Sequence, residues 1–178
     1  MNVTIPSGFK IGHYEDEFTG VSVILAENGA VGGVDCRGGA PGTRETDLLH
    51  NEKMMQKVNA VVLSGGSAYG LASTVGVMEY LKQNGKGFKS MGKIVPIVCG
   101  AVLYDLNQKE YHYPTAQYGL NACKNASKTL DFGNIGNGRQ DKRLEKRVQE
   151  RYRRGNRQSG GRHGYGSRCC QRYGRRRR

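Results

Sequence analysis

Apolar positions divide the chain into two unlike parts. From residue 8 to about 138, short apolar runs recur between glycine and asparagine punctuation, and beyond that they almost cease. VSVILA (21–26) and AVGGVDC (30–36) are β-rich runs around Glu27-Asn28-Gly29, and the Asn-Gly pair predicts a hairpin turn between them. RGGAPGTRET (37–46) is a glycine-rich loop. Thr46 has the side chain of a helix N-cap, and Leu48, Leu49, Met55 and Val58 on one face predict a helix from Asp47 to about Val58. NAVVLSGG (59–66) is a buried-type strand running into a Gly-Gly turn, and SAYGLASTVGVMEYLKQNG (67–85) follows as a helix that Asn84-Gly85 stops. KIVPIVCGAVLYDL (93–106) supplies two short apolar runs, and TAQYGLNACKNASK (115–128) is a small-residue helix after Pro114. FGNIGNG (132–138) is another glycine-rich turn. Strands and helices mix without strict βαβ alternation, so the pattern alone leaves α/β and α+β both open. There is no internal repeat.

Charge sharpens this division. The 178 residues carry a formal net charge of +13, which on its own suggests a polyanionic partner. However, residues 139–178 hold 16 of the 28 Lys and Arg and only 3 of the 15 acids, so residues 1–138 are neutral overall. The tail's apolar residues are Leu144, Val148, three Tyr and two Cys. So little apolar surface cannot offset the entropy of ordering the chain, and the expectation is a disordered basic tail at 139–178 after a folded unit at 1–138. Cys36, Cys99 and Cys123 are widely spaced, Cys169 and Cys170 are adjacent, and no CxxC or Cys/His ligand cluster occurs. Free thiols in a reducing compartment are the expectation. With no apolar leader and no apolar run of membrane-spanning length, this favours a cytoplasmic protein with no membrane partner.

Candidate chemistry is sparse. SGGSAYG (64–70) joins a strand to a helix start, where exposed backbone N–H groups suit an anion or oxyanion. It nearly spells the nucleophile elbow G-x-S-x-G around Ser67, but Tyr69 stands where the second glycine must relieve a strained turn. The plainer expectation is that Ser67 caps the helix while the glycines allow close packing. His13, His50 and His112 lack a neighbouring carboxylate–serine pattern and read as surface or ordinary core histidines. Asp35, Arg37, Arg44, Glu45 and Asp47 cluster along the first glycine loop, where structural ion pairing is favoured over catalysis. Tyr104 ends the apolar run AVLYD (101–105), with its hydroxyl at the rim.

Taken in order, GFKIGHYEDEFTGVSVIL, AVGGVDCRGGAPGTRETDLL, VNAVVLSGGSAYGLASTVGVMEYL, VPIVCGAVLYDL and FGNIGNG resemble the L-aminopeptidase/D-esterase family over about residues 8–138. That family comprises self-cleaving hydrolases and includes β-aminopeptidases and nylon-oligomer hydrolases. The resemblance implies an α/β fold, here part of an α/β/β/α sandwich, and a homo-oligomer. It implies a precursor that cuts itself before a Ser or Thr, whose freed amine and hydroxyl act as base and nucleophile. Substrates would be N-terminal residues of peptides, amides or esters, with no metal or cofactor. The tyrosine of the family's A-V-x-Y-D motif, implicated in holding the reacting carbonyl, matches Tyr104. The family's later G-K lysine and V-V-x-N asparagine have no in-frame counterpart, and on this basis the chain alone is expected to be inactive.

The arginine-rich tail admits a codon-level explanation. With CGN arginines, residues 168–172 (RCCQR) are encoded CGN TGY TGY CAR CGN, which one nucleotide later reads GNT GYT GYC ARC. The middle codons can then give only Val or Ala, and the last only Asn or Ser, as the missing V-V-x-N stretch requires. Near the break, GRQDK permits V-G-K-I. The tail therefore reads as family sequence out of frame from about residue 137. The alternative is a small domain with an arginine-rich nucleic-acid-binding arm, in which Arg meets phosphate and Tyr152, Tyr165 and Tyr173 stack on bases. On the out-of-frame reading, any nucleic-acid binding is nonspecific tail electrostatics.

Overall fold

The computed structural model describes residues 5–106, 111–129 and 135–136. Among these, a five-stranded mixed sheet has the order β1-β2-β4-β7-β3: β1 (Lys10–Glu15), β2 (Gly20–Ala30), β3 (Thr43–Arg44), β4 (Val58–Ser64) and β7 (Val98–Val102). β4 and β7 are parallel; the other pairs are antiparallel. The crossover between β4 and β7 contains α1 (Ser67–Gly70), α2 (Ser73–Gln83) and a separate two-stranded ribbon, β5 (Phe88–Ser90) with β6 (Lys93–Val95). α3 (Ala116–Lys124) follows β7. This is the α/β architecture expected. The disordered-tail expectation for 139–178 lies outside the described residues.

Strand alternation decides where the core sits. Val21, Val23, Leu25, Ala60, Val62 and Val98 face one way and pack with Val77 and Leu81 of α2 and Ala122 and Cys123 of α3, all nearly inaccessible to solvent. Each fully buried Val or Leu contributes roughly 1.5–3 kcal/mol by burial. The other face carries two rows across the strands, Ile11–Ile24–Val61–Cys99 and His13–Ser22–Leu63–Ala101. Ile11, Ile24, Val61, Leu63 and Ala101 there are only half-buried. The two helices meet almost backbone to backbone: a Cβ on Gly76 would strike the Ala116 carbonyl, and one on Gly119 the Ser73 carbonyl.

The structure corrects three local expectations. Asn28-Gly29 does not turn a hairpin. β2 runs through it and pairs with β1 and β4, and the register jumps from Leu25 opposite Ala60 to Ala30 opposite Val58. Gly29, at φ +79° against the Lys57 side chain, lies in this irregularity. The hairpin that does form turns at residues 16–19, where Asp16 Oδ1 accepts the Phe18 and Thr19 N–H groups at 2.8 and 2.9 Å. The helix from Asp47 shrinks to a single 3₁₀ turn, Asp47–Leu49. Thr46 makes no capping bond, its hydroxyl instead bonding Thr43 Oγ1 at 3.2 Å, and the turn buries no residue that could hold a longer helix. The helix from Ser67 is split at Leu71–Ala72, where i→i+3 bonds such as Ala72 N–H to Tyr69 O tighten the backbone. Gly85, at φ +68°, ends it as expected.

Cys36, Cys99 and Cys123 are free thiols. Burial raises Cys99 to about 11 and Cys123 to about 12, so neither is poised as a thiolate. Cys169 and Cys170 lie outside the described residues. Leu81, sealed between α2 and the sheet, gives a direct measure of this core. Leu81→Ala is expected to lower unfolding free energy by about 2–5 kcal/mol, measured by urea denaturation followed by far-UV circular dichroism.

Candidate functional site

The parallel pair β4/β7 directs attention to its carboxyl ends, where open α/β sheets place their ligands. β4 ends at Ser64 and β7 at Val102, and the segments that follow them interlock. Leu103 N–H donates to Ser64 O at 3.0 Å, and Ser67 N–H donates back to Leu103 O at 2.9 Å. Between these bonds the Gly66 N–H donates to Asp105 Oδ1, while Asp105 Oδ2 accepts the Thr19 hydroxyl at 2.8 Å. Gly65 N–H donates to Gly20 O at 3.0 Å. A Cβ on Gly65 would overlap Thr19 Oγ1 and the Asp105 carboxylate, and one on Gly66 would come within 2.6 Å of Tyr113 Cβ and 2.7 Å of Pro114 Cδ. The two glycines are therefore required by close approach.

This arrangement revises the expectation of an oxyanion site at the turn. The N–H groups of Gly65, Gly66 and Ser67 are already engaged internally and are not presented to a ligand. Ser67 does not cap the helix either; Gly66 holds the N-cap position and no side chain caps it. Ser67 itself lies at φ +52°, one of three non-glycine residues at positive φ among those described. Such a backbone costs on the order of 1–3 kcal/mol and persists only where its surroundings enforce it. Here the Leu103 carbonyl and the packing of Tyr113 and Pro114 on Gly66 enforce it.

Tyr104 lies between the two residues that make these bonds, and it is 68% exposed. Its backbone is thus held from both sides while its phenol faces outward. Sequence reasoning found Tyr104 but gave no role to Asp105 beside it or to Thr19.

A second carboxylate supports the first. Asp16 Oδ2 accepts the Tyr118 hydroxyl and the His112 Nε2–H, while its Oδ1 holds the Phe18 and Thr19 amides. The Tyr118 ring meets Tyr14 edge-on with centroids 5.0 Å apart, and the His112 ring lies 4.9 Å from Phe18. Burial pushes the Asp16 carboxyl up, but the hydrogen bonds from Tyr118, Thr19, Phe18 and His112 outweigh it and hold it at about 2. Tyr118 is driven upward by burial and by its bond to the Asp16 carboxylate. His112 thus has a carboxylate partner that local sequence gave no sign of. The Asp16–x–x–Thr19 spacing, typical of a side chain closing its own turn, was the available clue.

The remaining candidates separate. His13 Nδ1 lies 2.9 Å from Ser22 Oγ, but Ser22 is buried and its hydroxyl is not offered to a substrate. Gly136 of the second glycine-rich turn lies over this pair, its N–H donating to Glu15 Oε2. Beside it a cavity of about 460 Å³ is lined by His13, Glu15, Asn125, Ser127 and Ile135. His50 is exposed and its N–H closes the 3₁₀ turn on Asp47 O. Along the first glycine loop, Asp35 and Arg37 form an exposed ion pair at 2.8 Å. Arg44 does not join them, because its guanidinium donates to Thr74 Oγ1 at 2.7 Å and reaches Met78 Sδ. Among the described residues no His, Cys, Asp and Glu cluster is arranged to hold a metal, and no helix is long and apolar enough to cross a membrane.

Comparison with known proteins agrees with this architecture. The model of peptidase family S58 matches residues 4–142, and the chain belongs to that family. An uncharacterized aminopeptidase of Mycobacterium leprae is 43% identical over 77% of this chain and 43% of its own length. The 6-aminohexanoate-oligomer endohydrolase of Paenarthrobacter ureafaciens is 33% identical over 66% of this chain and 31% of its own. The chain thus spans less than half the length of these curated relatives. Among solved structures, a protein from Pyrococcus horikoshii OT3 superposes with a TM-score of 0.54 at 16% identity, covering 78% of this chain and 46% of its own. A Burkholderia sp. beta-aminopeptidase superposes with a TM-score of 0.50 at 14% identity, over 78% of this chain and 44% of its own. These two show the shared fold.

The Asp16 cluster makes stability depend on acid in a defined window. A carboxyl held at about 2, against 3.8 for an ordinary Asp, contributes stability that is fully present above the ordinary value and is lost as pH falls towards the lowered one. The melting temperature is expected to fall between pH of about 4 and 2. Asp16→Asn is expected to melt lower at neutral pH and to show less of that acid-dependent fall, as followed by circular dichroism melts across the range.

Proposed function

We propose that this chain carries the carbonyl-positioning part of an amide or peptide hydrolase that works through a self-generated N-terminal Ser or Thr. One observation carries the reading: Tyr104 presents an exposed phenol at the carboxyl end of the parallel strand pair, and Leu103 and Asp105 on either side of it are both bonded to the Ser64–Ser67 segment. In this scheme the nucleophile's hydroxyl oxygen attacks the substrate carbonyl carbon, and its proton passes to the nucleophile's own amine. The Tyr104 O–H donates to the carbonyl oxygen as it takes up negative charge. The C–N bond then breaks, the leaving nitrogen takes the proton, and water hydrolyses the resulting ester. A donor whose backbone is fixed by folding has little reorganisation left to do when charge develops, which is where this kind of stabilisation comes from.

The substrate class is an amide, peptide or ester from which an N-terminal residue is released, in keeping with relatives named aminopeptidase, and the 6-aminohexanoate-oligomer endohydrolase is a relative named for an oligomer substrate. The scheme uses no cofactor, and homo-oligomeric assembly belongs to the same reading. So does the proposition that the arginine-rich residues 139–178 are translated out of frame. Its support is the family match, which ends at residue 142, together with the codon degeneracy at residues 168–172.

Three measurements test this. Resequencing the gene across codon 137 and onward in the neighbouring frame is expected to give an open frame spelling G-K and then V-V-x-N; a second isolate with an intact frame that keeps the arginine-rich ending would count against it. The purified 178-residue chain is expected not to hydrolyse amino-acid p-nitroanilides, whereas a frame-restored chain is expected to do so. Tyr104→Phe in the restored chain should lower kcat about 10²-fold with little change in KM. Robust turnover by the 178-residue chain itself would remove the N-terminal-nucleophile assignment.

A further inference from the structure

Residues 111–113, Tyr-His-Tyr, form a strap across the turn at Gly66, and its two sides do different things. On one side His112 is bonded to Asp16 and its ring lies against Phe18. On the other side Tyr113 stacks on Tyr69 of α1, with centroids 4.8 Å apart and planes 21° from parallel. Tyr111 meets the same Tyr69 ring edge-on at 6.4 Å and 75°. The strap is anchored from behind by the Asp16 cluster and from below by the contact of Tyr113 and Pro114 with Gly66. Yet Tyr69 is 53% exposed and Tyr111 80% exposed. Large rings held in a fixed mutual geometry, with much of their surface still open to water, offer contact area at low ordering cost.

We propose that Tyr69, Tyr111 and Tyr113 form an aromatic subsite that takes an apolar aliphatic or aromatic group next to the scissile amide. Its place follows from the backbone. Tyr69 is two residues beyond Ser67, and Tyr104 is one residue beyond Leu103, whose carbonyl accepts the Ser67 N–H. The subsite and the carbonyl-holding phenol therefore extend from two segments that are bonded to each other at Ser64, Gly66 and Ser67. Two charges near these rings are engaged elsewhere, Arg44 at Thr74 and Met78 and the Asp16 carboxylate at His112 and Tyr118. Residues 64–78 contain no ionisable acid or base besides Tyr69 itself, and the nearby Asp105 carboxylate is engaged by Thr19 and Gly66. A neutral, apolar extension suits such a surface better than a charged one.

This inference rests on the amide-hydrolase reading for the identity of its ligand, and binding separates the two because it needs no turnover. The purified 178-residue chain is titrated with phenylalaninamide, hexanamide, glycinamide and acetamide, with saturation-transfer NMR as the readout. The two ligands with apolar extensions are expected to bind at least about five-fold more tightly than their short counterparts. Tyr69→Ser and Tyr111→Ser are each expected to weaken them about five-fold, while Phe88→Ser, which removes an exposed ring on β5, changes nothing. Tyr111, being the most open ring of the three, gives a variant that folding tolerates if Tyr69→Ser does not. Equal affinity for long and short amides, or affinity unmoved by both Tyr substitutions, overturns the subsite. In that event Tyr104 and the turnover assay still decide the amide-hydrolase reading on their own.

Discussion

Asp105 accepts one hydrogen bond from the Thr19 hydroxyl and one from the Gly66 amide, and these arrive from 86 and 39 residues away along the chain. The carboxylate thereby joins the first hairpin, the crossover out of β4 and the end of β7 at one point. A carboxylate suits this position because it offers acceptors in several directions without needing a donor in return. The space around it is consistent with that demand, since neither Gly65 nor Gly66 has room for a side chain. Together with the Ser67–Leu103 bond, this clasp fixes the backbone on both sides of Tyr104. Without it, the segment after β7 would be a loose strand end.

Asp16 repeats the device one step further out. It closes the hairpin turn through two backbone amides and then fastens the 111–113 strap through His112 and α3 through Tyr118. The two aspartates are linked through Thr19, whose amide belongs to one and whose hydroxyl belongs to the other. A rigid frame of this kind lets side chains be exposed to solvent while their backbones stay fixed, which a flexible loop would achieve only by ordering on binding.

Sequence made much of the scaffold legible and little of the frame. The apolar run at β4, the small-residue helix α3 and the Asn84-Gly85 stop were readable because each depends on neighbours in the chain. The Asn28-Gly29 turn was misread because tertiary pairing with β4 overrode a local preference, and the helix after Thr46 because no core lay under its apolar face. Tyr104 was reached through the resemblance of AVLYD to a known motif, not through its surroundings. The carboxylate partner of His112 lies 96 residues away, and the partners of Asp105 lie 86 and 39 residues away. Ser67 illustrates the limit well: its near-elbow context was visible, but whether its neighbouring amides were free was a question only the fold answered.

The isolated bridge in which Ile11 and Ser127 exchange backbone hydrogen bonds at 2.9 Å has a bearing on how the molecule is made. β1 pairs with β2 early in the chain, but among the described residues its outer edge is bonded to Ser127 and its Gly12 surface lies against Ala122 and Ala126, at and beyond α3. During synthesis the first hairpin therefore waits, half-shielded, until a far later stretch has left the ribosome. β1 is translated long before the residues that enclose it, so on the growing chain its edge is open to premature association until α3 has emerged.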